Sequence, residues 1–316
     1  LLNGTIYVGQ TTAPNFNNDI EYSGGGASEI EVQGGTLVVN GQIRRNPAVT
    51  NGILTYTQSG GVVTINGNAA NTTNAKLEVL NDGSAFNMSN GTLNIIRGGG
   101  GSTYGDLYLR PASSTVTGGT IVFSNVVPNT AQTYLLDANV PLNAITVTGA
   151  AGAGINATVK LMVNPLVLNG DLMLTNARSI FDANSTYNIN LYVKGDFTNN
   201  GIYYHYNNLT TFNGGVQTLS GSTATDFYDL NVSPVTSLTL SQSTTVLHDI
   251  TLGDGTLICG TNYVYVKNNV INNATYTNTN TTSGFVLNGA VQQHISGTGT
   301  FGQLELNNTN GSTIDN

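Results

Sequence analysis

The segment Phe212-Asn-Gly-Gly-Val-Gln-Thr-Leu-Ser-Gly221, followed by Phe227-Tyr-Asp-Leu-Asn-Val232, returns later as Leu287-Asn-Gly-Ala-Val-Gln-Gln-His-Ile-Ser-Gly297 and Phe301-Gly-Gln-Leu-Glu-Leu306. Upstream, Tyr192-Val-Lys-Gly-Asp-Phe-Thr-Asn-Asn200 returns as Tyr265-Val-Lys-Asn-Asn-Val-Ile-Asn-Asn273. The offset between copies stays at roughly 75 residues throughout. A chain that copies itself at such a period builds units that bury their apolar faces on one another, so the fold is expected to be a repeat architecture.

The strand signals are short and dense. Leu37-Val-Val39, Val62-Val-Thr-Ile65, Leu93-Asn-Ile-Ile96 and Thr120-Ile-Val-Phe123 are each bounded by Gly or Asn-Gly. The glycines before them, Gly35, Gly61, Gly91 and Gly119, recur at a spacing of roughly 26–30 residues. That period predicts an all-β, right-handed parallel β-helix with coils of roughly 22–30 residues. No segment keeps the apolar stripe of a helix. An antiparallel sandwich would place turns every 8–12 residues or so, without a self-match near 75. Residues 1–165 read as less regular coils and 166–316 as coils carrying the longer unit, three coils of about 25 each, all in one solenoid. The dipeptides Asn3-Gly4, Asn40-Gly41, Asn66-Gly67, Asn90-Gly91, Asn169-Gly170, Asn213-Gly214 and Asn288-Gly289 are read as coil corners, with Asn amides bonding from rung to rung. The stretch 129–164, which holds Gly149-Ala-Ala-Gly-Ala-Gly154, is expected to interrupt the pattern as a loop or seam.

Only 8% of the 316 residues are charged, against roughly 25% in ordinary domains. Rows of stacked side chains favour such a composition, because like charges one above another repel. The net charge is −8, and Arg44-Arg45 is the only basic pair, which argues against nucleic acid as a partner. No apolar run is long enough to span a membrane. Cys259 stands alone and reads as a small buried apolar residue. The chain opens at Leu1 without Met and stops at Asp315-Asn316 in mid-pattern, with no polar cap at either end, which predicts an excerpt of a longer protein.

At Val193-Lys-Gly-Asp-Phe-Thr-Asn-Asn-Gly201, Thr211-Phe-Asn-Gly-Gly-Val-Gln-Thr-Leu-Ser-Gly221 and Phe227-Tyr-Asp-Leu-Asn-Val232 the chain resembles the long β-helical surface proteins of the Bacteroidota exported by the type IX secretion system. Some of these are giant adhesins of gliding cells. The resemblance covers Leu166 to the end and touches the first half only in style, as at Gly105-Asp-Leu-Tyr-Leu109. It implies an extracellular, cell-surface shaft of a filament or adhesin. Its partners would be surface glycans or other cell-surface and secretion-system proteins. It supplies no shared catalytic residues and no cofactor.

Several residues invite a chemical reading. Asp226, Asp229, Asp249 and Asp254 are the one local concentration of acids in the repeat region and would matter in a polysaccharide-degrading β-helix. Asp226 and Asp229 become Thr300 and Gln303 in the later copy, which favours solvated corner acids. His205, His248 and His294 lack the sequence spacing of metal ligands, so no metal site is expected. Gly98-Gly-Gly-Gly101 lacks the Lys of a phosphate loop. Tyr203, Tyr204 and Tyr206, and later Tyr263 and Tyr265, are candidates for stacking on sugar rings, although strand tyrosines more often pack inward. Thr146-Val-Thr148, Thr239 and Thr275-Tyr-Thr277-Asn-Thr279 raise an ice-binding solenoid as a further alternative, but they are scattered. The sequons at Asn71 and Asn273 are expected by chance in such a composition. The inward-facing set is expected to be Val193, Val216, Leu219, Leu230 and Val232, with the counterparts Val266, Val291, Ile295, Leu304 and Leu306.

Overall fold

A computed structural model describes residues 1–9, 18–24, 26–67, 75–277 and 283–315. The sequon at Asn71 and the Thr279 end of the last threonine run lie outside these residues. The strands form parallel sheets of 12, 10, 8 and 5 members, and among the described residues the only helical turn is the short one at Ala151–Ala153. This is the parallel β-helix that the repeat predicts. Among the described residues no helix is long and apolar enough to cross a membrane. The chain divides into two compact units, one of residues 1–169 and 174–182, the other of residues 170–173 and 183–316.

In the first unit, one face is built from Thr5–Val8, Thr36–Val39, Val62–Ile65, Thr92–Ile95, Thr120–Ser124 and Ala144–Thr148. The successive partners Thr36, Val62, Thr92, Thr120 and Ala144 follow one another at roughly 24–30 residues per coil. Alternation sends every second side chain inward. Leu37, Val63, Leu93, Ile121 and Ile145 therefore stack in one buried column, and Val39, Ile65, Ile95, Phe123 and Val147 in the next.

The glycines before these strands form a column of their own. Gly35, Gly61, Gly91 and Gly119 all have φ between +66° and +87°. The N–H of each following strand donates to the glycine carbonyl one coil away: Thr36 to Gly4, Val62 to Gly35, Thr92 to Gly61 and Thr120 to Gly91. A Cβ on Gly61 would lie 2.6 Å from the Gly35 oxygen, so both the left-handed turn and the coil spacing demand glycine.

The stretch 129–164 does not break the pattern. Gln132–Ala138, Ala144–Thr148 and Ala157–Leu161 all sit in parallel ladders. Only the small turn around Ala151–Ala153 leaves them, and Gly154 (φ +69°) closes it. Its small residues mark that tight turn rather than a seam.

In the second unit the coils are shorter. On the eight-stranded sheet Val193 pairs with Phe212, Phe212 with Val232 and Val232 with Leu252, which sets a coil of about 20 residues. A period of about 75 residues is therefore not three coils of 25. It carries the chain through three coils and on by two more faces. Val193, on the eight-stranded sheet, returns as Val266 on the five-stranded sheet. Leu219, on the twelve-stranded sheet, returns as Ile295 on the eight-stranded one, and Leu230, on the eight-stranded sheet, returns as Leu304 on the five-stranded one. Each motif comes back on a different face of the coil.

Six of the ten expected core residues, Val193, Leu219, Leu230, Val232, Val266 and Ile295, are buried, and Leu304 is half-buried. Three are not. Val216 is 71% exposed because the next residue, Gln217, takes the inward position, and Val291 is 58% exposed in the turn before the strand that opens on the buried Gln293. Gln217 accepts from the Gly214 N–H (2.6 Å) and donates to the carbonyls of Val193 (2.9 Å) and Gly195 (2.7 Å). Gln293 accepts from the Gly289 N–H (2.8 Å) and donates to the carbonyls of Val266 and Asn268. Both are fully buried coil-to-coil staples at Asn-Gly corners. Leu306 is exposed because its strand, the last of the five-stranded sheet, is covered by Leu287 on one side only.

Candidate functional site

Beside the backbone ladders, side-chain oxygens at several corners accept backbone N–H groups of the next coil. Asn188 accepts from Asn207, Asn190 from Leu209, Asn200 from Ser222 and Asn273 from Thr298. At the corner where strands of the eight-stranded sheet begin, this column turns acidic. Asp229 Oδ1 accepts the Asp249 N–H (3.0 Å), and Asp249 Oδ1 accepts the Asn269 N–H (2.9 Å) together with Asn268 Nδ2 (2.8 Å). Asn269 Oδ1 in turn accepts the His294 N–H.

His248 completes the corner. Its Nδ1 lies 2.7 Å from Asp229 Oδ1 and 3.7 Å from Asp249 Oδ2. Tyr228, one coil away, stacks on the imidazole with centroids 4.8 Å apart and planes within 5°. One ligand atom from each of Asp229, His248 and Asp249 falls within 4.8 Å of the others, and all three residues are half-buried. An open groove of about 550 Å³ adjoins His248, lined also by Leu247, Lys267 and the corner Asn288–Val291.

Of the four expected acids, then, the structure brings Asp229 and Asp249 together, with a histidine that sequence spacing passed over. The signal was present: Asp229 stands one coil length, about 20 residues, from both His248 and Asp249. Asp226 and Asp254 stand outside the group. Asp226 is exposed beside Thr245, and Asp254 accepts the N–H of its own turn at Gly255. His205 bonds the Tyr206 carbonyl, and His294 meets the single carboxylate of Asp315 (3.0 Å).

The tyrosines divide. Tyr203 is no sugar platform: its ring packs edge-on against Phe197 and Phe227, and its hydroxyl bonds Thr210 and Asn208. Burial pushes that phenol up to about 12. Tyr204 is 43% exposed and faces Tyr206 at 6.1 Å between ring centres. Tyr206 holds φ +48°, rare for an aromatic residue. Tyr263 and Tyr265 stack at 5.6 Å. Thr239 sits between Thr218 and Ile258, so its threonine column does not continue from coil to coil. Cys259 is buried, which pushes its thiol up to about 12 and leaves it unreactive.

A second set of charges, in the first unit, went unseen in the sequence because its members come from neighbouring coils, roughly 23–33 residues apart. Arg45 grips Glu78 (2.7 and 3.0 Å), Arg44 bridges Asp19 (2.7 Å) and Glu21 (2.6 Å), and Arg110 meets Asp137 (2.5 Å). Asp106 accepts the N–H groups of Gly100 and Leu135 and so ties down the glycine run Gly98–Gly101. Burial raises the Asp106 carboxyl to about 6, against those backbone bonds and the opposing charge of Lys76. Burial likewise lowers the Lys76 ammonium. Glu78, Asp106 and Asp137 are all at most 1% exposed. These carboxylates are spent on internal partners and present nothing to a substrate.

No family model, curated protein or solved structure matches the chain.

Proposed function

We propose that this chain is a segment of the β-solenoid shaft of an exported cell-surface protein, acting mechanically and by multivalent contact. The observation that carries the reading is what the two copies of the repeat keep. Both retain the Asn-Gly corner, the buried glutamine that staples it to the neighbouring coil, and most of the inward apolar residues. The outward positions vary freely: Thr218 becomes His294, and Asp229 becomes Gln303. What is kept between copies is the means of stacking coils, as a rod under tension requires. The resemblance to type IX-exported surface proteins points the same way. Exposed tyrosines such as Tyr204 then offer weak contacts to glycans or neighbouring surface proteins that add by avidity.

Antibodies raised against this segment should label intact cells at their surface. Label that appears only after permeabilisation would end the proposal. A polysaccharide-depolymerisation screen with the folded chain separates shaft from enzyme, and no released oligosaccharide is expected.

A further inference from the structure

We propose that Asp229, His248 and Asp249 form a binding site for a divalent transition-metal ion of the zinc type. In both aspartates one oxygen, Oδ1, is fixed by a backbone N–H of the next coil, Asp249 for the first and Asn269 for the second. The other oxygen of each carries no hydrogen bond among the described residues and remains for an ion. The carboxylates are thus oriented by the β-helix itself, and Asn268 steadies Asp249 further (2.8 Å). Such outer contacts normally set the affinity of a metal site. Tyr228 fixes the imidazole plane with Nδ1 directed at the two acids.

The donor set selects the ion. One imidazole nitrogen and two carboxylate oxygens suit zinc and its neighbours, with water filling the remaining positions, whereas calcium takes oxygen alone. The 3.7 Å between Nδ1 and Asp249 Oδ2 is close to the edge of a tetrahedron around an ion with bonds of about 2.1 Å. The ion replaces the Nδ1 proton, and the ring keeps its other proton on Nε2. Without the ion the Nδ1 proton serves the hydrogen bond to Asp229 Oδ1 (2.7 Å), and Asp249 Oδ2 stands 3.7 Å from the same nitrogen.

The chain contains its own control. Asp171 and Asp196 stack the same way, with Asp171 Oδ1 accepting the Asp196 N–H (2.8 Å) and Asp196 Oδ1 the Thr218 N–H (2.7 Å), but among the described residues no histidine joins them in a ligand group. Titration calorimetry with Zn²⁺ should show one saturable ion per chain. His248→Ala should abolish it, Asn268→Ala should weaken it by roughly tenfold, and Asp196→Asn and His294→Ala should leave it unchanged. Cu²⁺ bound to the wild-type chain should show hyperfine coupling to one imidazole nitrogen, a readout that does not depend on any variant folding. Absence of saturable binding, binding that survives His248→Ala, or a Cu²⁺ spectrum without nitrogen coupling would each overturn the site.

Discussion

At the scale of single residues, the glutamines decide more than the valines beside them. Val216 and Leu219 are three apart, so one uninterrupted strand cannot turn both inward; alternation gives the inner positions to Gln217 and Leu219. Hydrophobicity alone points to the wrong parity, because an amide that satisfies three backbone groups occupies the core. Gln217→Ala strands those groups and should cost roughly 2–3 kcal/mol in denaturant unfolding. Val216→Asp, at an exposed position, should stay within about 0.5 kcal/mol of the parent. The reverse ranking would show that the valine is the core residue. Apolar alternation and the glycine column were legible in the sequence because each is a local rule. The Asp229–His248–Asp249 corner was not, because its members meet only once the coil length is known.

At the scale of the element, each strand inside a sheet is held by the strands directly above and below it. Leu230 pairs with Thr210 on one side and Ile250 on the other, and is almost wholly buried. Leu230→Asp places an unpaired carboxylate in that stack, at a cost of roughly 3–5 kcal/mol. Because coils couple mainly to nearest neighbours, the damage should remain local. Limited proteolysis followed by mass spectrometry should find new cleavage between Leu209 and Leu252, while the strands around Val264 stay protected. Cleavage spread evenly along the unit would mean that the coils unfold together.

At the scale of the whole molecule, charge separates the two units. Every buried Asp, Glu, Lys and Arg among the described residues, from Arg44 to Asp137, lies in the first unit, and the buried polar side chains of the second are Asn, Gln, Ser and Thr. Asp106 gives this a measurable sign. Its carboxyl sits near 6 when folded, above its ordinary value of 3.8. Folding therefore favours the protonated form, and the stability it contributes is fully present below the ordinary value and lost as pH rises through about 6. Lowering the pH from 7 to 5 should strengthen amide protection around Gly100 and Leu135, after correction for intrinsic exchange, by on the order of 1 kcal/mol. Asp106→Asn should flatten that response. A response equally large in the second unit would assign it to surface charge instead.

The mismatch between the repeat and the coil also bears on how the chain avoids mispairing. Had the copies matched a whole number of coils, near-identical strands would lie in line on one face, and a strand could slip by a copy, or trade places with that of another chain, at little cost. Because Val193 and Val266 belong to different faces, a slip by one repeat would set each motif against a sheet it never contacts, with its glutamine staple facing the wrong carbonyls. A sequence duplicated in this way adds coils to the β-helix and still leaves each strand one correct place to land.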